Sequence, residues 1–201
     1  MIIVNFKEYK QATGKNAVKL AKICERIAKK TKTRIIIAVQ EKDLNAVSKE
    51  VKIPVYLQLI KDSVPKKVKG TLLNHSEHPI SNKIIKRRIK LAKRYNLKTI
   101  VCCTNTKRAK MIDKMKPSYI AVEPSQLIGG KISVSEAKPE LISEIVQAVK
   151  TPVLVGAGVN KKEDVKKAKR LGAKGILVSS AVVKAKNPEK ILKSLAKGLK
   201  C

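Results

Sequence analysis

Three short stretches put polar residues where apolar ones belong. The chain opens with Ile2-Ile3-Val4 and runs directly into Asn5-Phe6-Lys7. Leu72-Leu73 is followed at once by Asn74-His75-Ser76-Glu77, and Tyr119-Ile120-Ala121-Val122 by Glu123-Pro124. Side chains alternate along a strand, so Ile3, Asn5 and Lys7 share one face, as do Leu73, His75 and Glu77, and Tyr119, Ala121 and Glu123. Each face begins apolar or aromatic and ends polar. A cation, a histidine and a carboxylate on three strand ends are the ingredients of an acid–base site. Each residue alone has a plainer reading. His75 could be a satisfied structural histidine, Glu123 could pair with a surface lysine, and Lys7 could snorkel to solvent.

The second ingredient is small residues. Gly129-Gly130 follows the Glu123 stretch, Gly156-Ala157-Gly158 closes a later apolar run, and Ser179-Ser180 closes the last. Such residues let backbone N–H groups approach an anion such as phosphate. Ordinary tight turns explain the same spacing equally well.

Eight apolar runs could carry these ends: 2–7, 34–40, 55–60, 71–77, 99–104, 119–124, 152–158 and 175–181. They are rich in Ile, Val and Leu and nearly continuous, as strands covered on both faces are. Helical periodicity fills most gaps. Residues 16–30 align Leu20, Ile23, Cys24 and Ile27, and residues 82–95 align Ile84, Ile85, Ile89 and Leu91. Pro139, Asn160 with Glu163, and Asn187-Pro188 mark further helix starts. Strand–helix alternation implies an α/β fold with a parallel sheet. Eight strands allow closure into a (β/α)8 barrel, whose C-terminal strand ends meet at one rim. The rival is an open doubly wound sheet, but no G-x-G-x-x-G follows the first strand. The connection at 61–70 holds ten residues and a proline, too few for a crossover helix, so the third helix is expected to be absent or reduced to one turn. No linker divides the chain, and 1–201 reads as a single domain.

Composition bounds the partners. The chain has 201 residues, 43% of them hydrophobic, enough for a real core. No apolar run reaches the roughly 18–20 residues of a membrane helix, and the N-terminus lacks the pattern of a signal peptide, so a cytoplasmic location is expected. Cys24, Cys102, Cys103 and Cys201 match no zinc spacing and read as reduced structural thiols, with Cys102 and Cys103 on opposite faces of a strand. The net charge is +31. Its lysines are spread over nearly every helix, and aromatics are 2% with no Trp. A solvated lysine-rich surface is therefore favoured over nucleic-acid binding.

Across almost the whole chain the sequence resembles the triosephosphate isomerase family, in its short archaeal form. The resemblance rests on VNFK (4–7), TLLNHSE (71–77), YIAVEP (119–124), LIGG (127–130), VSEAKPE (134–140), GAGV (156–159) and VVKAKNPEK (182–190). It implies a single (β/α)8 TIM barrel that interconverts dihydroxyacetone phosphate and glyceraldehyde 3-phosphate through an enediolate, with no metal or organic cofactor. It implies Glu123 as the base, His75 as a neutral proton shuttle and Lys7 as the electrostatic stabiliser. Asn5 would support the oxygens, Glu77 would position Lys7, and Gly129, Gly158, Ser179 and Ser180 would bind phosphate through the backbone. Residues 124–133 would form a closing lid hinged at Pro124, Ser125 and Gln126.

Three departures stand out. Lys131 occupies the lid where the family commonly has G-T-G. Ala181 replaces a usual glycine, costly if that position needs a positive φ. The family's long loop after the third strand, which docks into a partner subunit and supports its Asn and Lys, is mostly missing at 61–70. The usual dimer contact is therefore expected to be weak, and Asn5 and Lys7 less rigid. Two other classes compete: a basic barrel binding RNA or another polyanion with a weakened site, and another phosphosugar isomerase. The presence of Asn5, Lys7, His75 and Glu123 together favours the isomerase.

Overall fold

In a computed structural model, which describes residues 1–130 and 132–200, each of the eight apolar runs overlaps one strand. They are β1 (Ile2–Asn5), β2 (Ile35–Val39), β3 (Val55–Leu57), β4 (Gly70–Leu73), β5 (Lys98–Cys103), β6 (Tyr119–Val122), β7 (Val153–Val155) and β8 (Gly175–Val178). All pair in parallel, and β8 pairs with β1 to close the barrel. Nine helices are present among the described residues: α1 (Lys15–Thr31), α2 (Glu41–Glu50), α3 (Asn82–Arg94), α4 (Thr106–Asp113), α5 (Val134–Ala137), α6 (Pro139–Ala148), α7 (Lys162–Arg170), α8 (Ser180–Val183) and α9 (Pro188–Lys200). The open doubly wound alternative is thereby excluded.

Alternation divides the core in two. Ile3, Ile36, Ala38, Tyr56, Leu72, Ile100, Cys102, Ala121, Leu154 and Leu177 fill the barrel interior. Their neighbours on the strands face outward and pack under the helices, Val4, Ile37, Leu57, Leu73, Cys103 and Val122 among them. Cys102 and Cys103 thus point to opposite sides, as expected. Their thiols and that of Cys24 are unpaired and buried, and burial raises all three out of the reactive range. Cys201 lies outside the described residues.

No helix joins β3 to β4. The chain from 58 to 69 runs over the outside of the barrel instead, with Ile60 and Val68 buried in the outer core. Arg88 lies on the buried face of α3 and reaches this connection. Its guanidinium donates to the Ile60 carbonyl and lies 3.6 Å from Asp62, which also accepts from Arg87 at 2.6 Å.

Two local expectations fail. The helix after β7 starts one residue later than expected. Lys161 is its cap, and Asp164 rather than Glu163 accepts from the backbone N–H groups of Asn160 (2.9 Å) and Lys161 (3.0 Å). On β4, Leu72 and not Leu73 faces the barrel interior. His75 does not reach the site by simple alternation from Leu73. The strand ends at Leu73, and Asn74 adopts a left-handed φ of 55° that redirects the chain. Asn tolerates this conformation better than most residues. Its side chain braces it, donating to the Cys102 carbonyl at 3.0 Å and accepting from Ile80 N at 3.2 Å.

Candidate active site

The C-terminal strand ends converge on a cavity of about 200 Å³. Asn5, Lys7, His75 and Glu123 line one side, and Gly129, Gly158, Ser179 and Ser180 line another. Every residue expected to be catalytic or substrate-binding is therefore at one site. Glu77 stands beside it, with Oε1 3.4 Å from Lys7 Nζ.

β6 delivers Glu123. Its N–H continues the ladder to the Cys103 carbonyl at 2.8 Å, and the residue is 7% exposed. Burial is the main reason its carboxyl titrates above the usual range; the Cys102 thiol and Lys7 oppose the shift. Glu123 Oε2 is buried and has no hydrogen-bond partner among the described residues. It lies 3.8 Å from His75 Nε2. Gly156 makes room for it, since a Cβ there would sit 2.5 Å from Glu123 Cγ.

His75 is 2% exposed, and burial lowers its pKa to about 4, with Lys7 and His78 adding to the shift. The ring is neutral at pH 7. Its Nδ1 accepts from Glu77 N at 3.3 Å, which assigns the ring proton to Nε2, on the cavity side. Asn5 Nδ2 stands 3.3 Å from that nitrogen. With the ring proton on Nε2 these two groups are both donors and cannot satisfy each other, so an acceptor oxygen bound beside them would have two donors within reach.

Lys7 follows β1 and has a φ of 50°. For a lysine this left-handed conformation costs about 1–2 kcal/mol, so its surroundings must hold it. Its N–H donates to Asn5 Oδ1 at 3.0 Å. Its carbonyl accepts from Gln58 Nε2 at 2.8 Å and Gln40 Nε2 at 3.1 Å. Neither glutamine was expected from the sequence. Alternation would have found both: Ala38 and Tyr56 face the interior, and Gln40 and Gln58 lie two residues beyond them. Tyr9 also lines the cavity, its ring 5.9 Å from Lys7 Nζ and 4.2 Å from Lys184 Nζ.

The small-residue side is built from the turns that follow β7 and β8. Gly158 has a φ of 68°, and a Cβ on it would collide with the Ile132 carbonyl. The neighbouring Ala157 is also left-handed, with φ 62°. At β8, Ser179 precedes α8, whose first N–H groups lack intrahelical partners. Ser179 Oγ is buried and unpartnered among the described residues. Ala181 sits inside α8 without a positive φ, so alanine carries no penalty there. The 124–133 segment starts with Pro124 and a single 3-10 turn at Ser125–Leu127, then lays Ile128, Gly129 and Gly130 along the cavity. Its far end is fixed by Ser133 Oγ, which donates to Asp164 Oδ1 at 2.8 Å. Lys131 lies outside the described residues.

Solved structures of similar fold include a thiamine phosphate pyrophosphorylase from Pyrococcus furiosus (TM-score 0.71, 17% identity, covering 99% of this chain and 95% of that one). A geranylgeranylglyceryl phosphate synthase from Thermoplasma acidophilum, solved with sn-glycerol-1-phosphate, gives a TM-score of 0.67 at 15% identity, covering 100% and 92%. At such identities they speak for the barrel alone. The sequence relatives say more. The chain is 40% identical to the triosephosphate isomerase of Methanothermus fervidus, over 97% of this chain and 96% of the relative. It is also 40% identical to that of Methanocaldococcus jannaschii, over 98% and 99%. The family profile described as "Triosephosphate isomerase" matches residues 61–195. With the barrel closed and these strand ends meeting at one cavity, the chain belongs to the triosephosphate isomerase family.

Proposed function

We propose that this chain interconverts dihydroxyacetone phosphate and glyceraldehyde 3-phosphate, with Glu123 as base, His75 as neutral shuttle and Lys7 as electrostatic stabiliser. The observation that carries these roles is the meeting of Glu123, His75, Asn5 and Lys7 at one cavity walled by Gly158, Ser179 and Ser180. Glu123 removes the proton from the carbon beside the carbonyl. The charge moves to oxygen, where Asn5 Nδ2, His75 Nε2–H and the Lys7 ammonium stabilise it. His75 carries a proton between the two oxygens, and Glu123 returns its proton to the neighbouring carbon. The family is itself the standard illustration of such a base and neutral imidazole. Gly129, Gly158, Ser179 and Ser180 bind the phosphate through main-chain N–H groups, and Glu77 positions Lys7. The 124–133 lid excludes water and protects the enediolate from losing phosphate.

Residues 1–201 act as one domain in this reading. The thiols of Cys24, Cys102 and Cys103 suit a reducing cytoplasm. No helix among the described residues is long and apolar enough to cross a membrane. The 58–69 connection packs on its own barrel, which weakens the family's usual subunit contact, and the dispersed lysines are read as solvated rather than as a nucleic-acid surface. A coupled isomerase assay tests the central claim. Glu123→Gln is expected to lower kcat by about 10²–10⁴, the usual worth of a general base. Equal background rates for both proteins would refute the function.

A further inference from the structure

We infer that Gln40 and Gln58 are positioning residues for Lys7. The inference rests on the role proposed for Lys7. Both polar groups of the Lys7 main chain are held by side chains: the N–H by Asn5, the carbonyl by the two glutamines. The glutamines are the first residues beyond β2 and β3, which pair Val39 with Leu57. Two adjacent strands therefore present two amides side by side to one carbonyl. Gln58 N–H continues the ladder to the Val39 carbonyl at 3.1 Å, which fixes its backbone.

The amide orientations follow from what they face. A carbonyl accepts, so each glutamine must turn its NH₂ toward Lys7. Gln58 does this although its own Oε1 is then buried without a partner among the described residues. Gln58 is 5% exposed, so its side-chain hydrogen bonding is committed to Lys7. Gln40 is braced as well, its Nε2 lying 3.3 Å from Thr13 Oγ1. The arrangement answers a specific need. Lys7 is left-handed, and a slip of its peptide toward an ordinary φ would swing the ammonium away from Glu77 and the cavity. The hydrogen bonds that hold this conformation come from Asn5, Gln40 and Gln58.

The test is a set of cycles measured by steady-state kinetics. Gln58→Met keeps the side chain's bulk and removes the donor. With Gln40→Ala, the double variant is expected to lower kcat/KM at least tenfold. In a Lys7→Ala background the same two changes are expected to lower it less than twofold, because the group they position is gone. A merely structural role would lower both backgrounds alike, and that result overturns the inference. Wild-type kinetics in the double variant beside a crippled Lys7→Ala overturns the clamp alone. Full activity in Lys7→Ala overturns the role of Lys7 and the clamp with it.

Discussion

His75 is neutral because folding removes it from water beside Lys7 and His78, and this has a measurable consequence away from catalysis. Its folded pKa is about 4 against 6.5 for an unperturbed histidine. Between those values the unfolded chain binds a proton that the folded chain refuses. Stability therefore falls as pH drops through that window and is unaffected above it, by up to roughly 3 kcal/mol in all. Glu123, shifted upward, acts with the opposite sign, so the wild-type slope alone mixes the two. Comparing wild type with His75→Asn by urea unfolding isolates the histidine. The wild type is expected to lose its stability relative to the variant between pH 6.5 and 4, and parallel slopes would contradict a buried neutral ring. Gly156 offers a second residue-scale test. Its α-carbon passes so close to Glu123 that Gly156→Ala must displace the carboxylate. On the roles proposed above, we expect kcat to fall more than tenfold with KM nearly unchanged, since the proposed base is misplaced while the proposed phosphate contacts remain.

At the scale of elements, the strands were legible because parallel strands covered on both faces are almost continuously apolar, and all eight lie where those runs are. Their ends were not legible. Asn5-Phe6-Lys7 and Leu73-Asn74-His75 continue the alternation on paper, but the backbone turns left-handed at Lys7 and Asn74. Single residues at positive φ leave no periodic trace, which is why alternation misassigns the face of His75, a residue that nonetheless lines the cavity. The missing helix was legible from chain length alone. What replaces it was not, because Arg88 looks like one more surface cation on a basic helix. It is 8% exposed, and its guanidinium holds the shortened connection through the Ile60 carbonyl. Arg88→Ala is expected to destabilise the protein by about 2–3 kcal/mol, the range for a charge-assisted bond whose partner is left buried. Hydrogen exchange should show faster opening of residues 58–69 than of the strands. Uniform acceleration would mean that Arg88 stabilises the barrel generally instead.

The whole molecule carries 46 lysines and arginines against 15 acids. Eight lysine– or arginine–carboxylate pairs form among the described residues. Most cations are therefore uncompensated, and the fold must withstand their mutual repulsion. The substrate is an anion of about −1.5 to −2 charges near neutral pH, the charge of a phosphate monoester. The same field that strains the protein attracts its ligand. Salt weakens both effects, since the screening length falls from about 30 Å at 0.01 M to about 10 Å at 0.1 M. Raising ionic strength across that range should raise the melting temperature and lower kcat/KM severalfold. Chemistry among groups as buried as Glu123 and His75 is screened far less, so kcat should hold nearly constant. If kcat/KM stays flat while the melting temperature climbs, the lysines are too dispersed to focus a field at the cavity mouth, and the capture of substrate rests on Lys7 and the main-chain cradle alone.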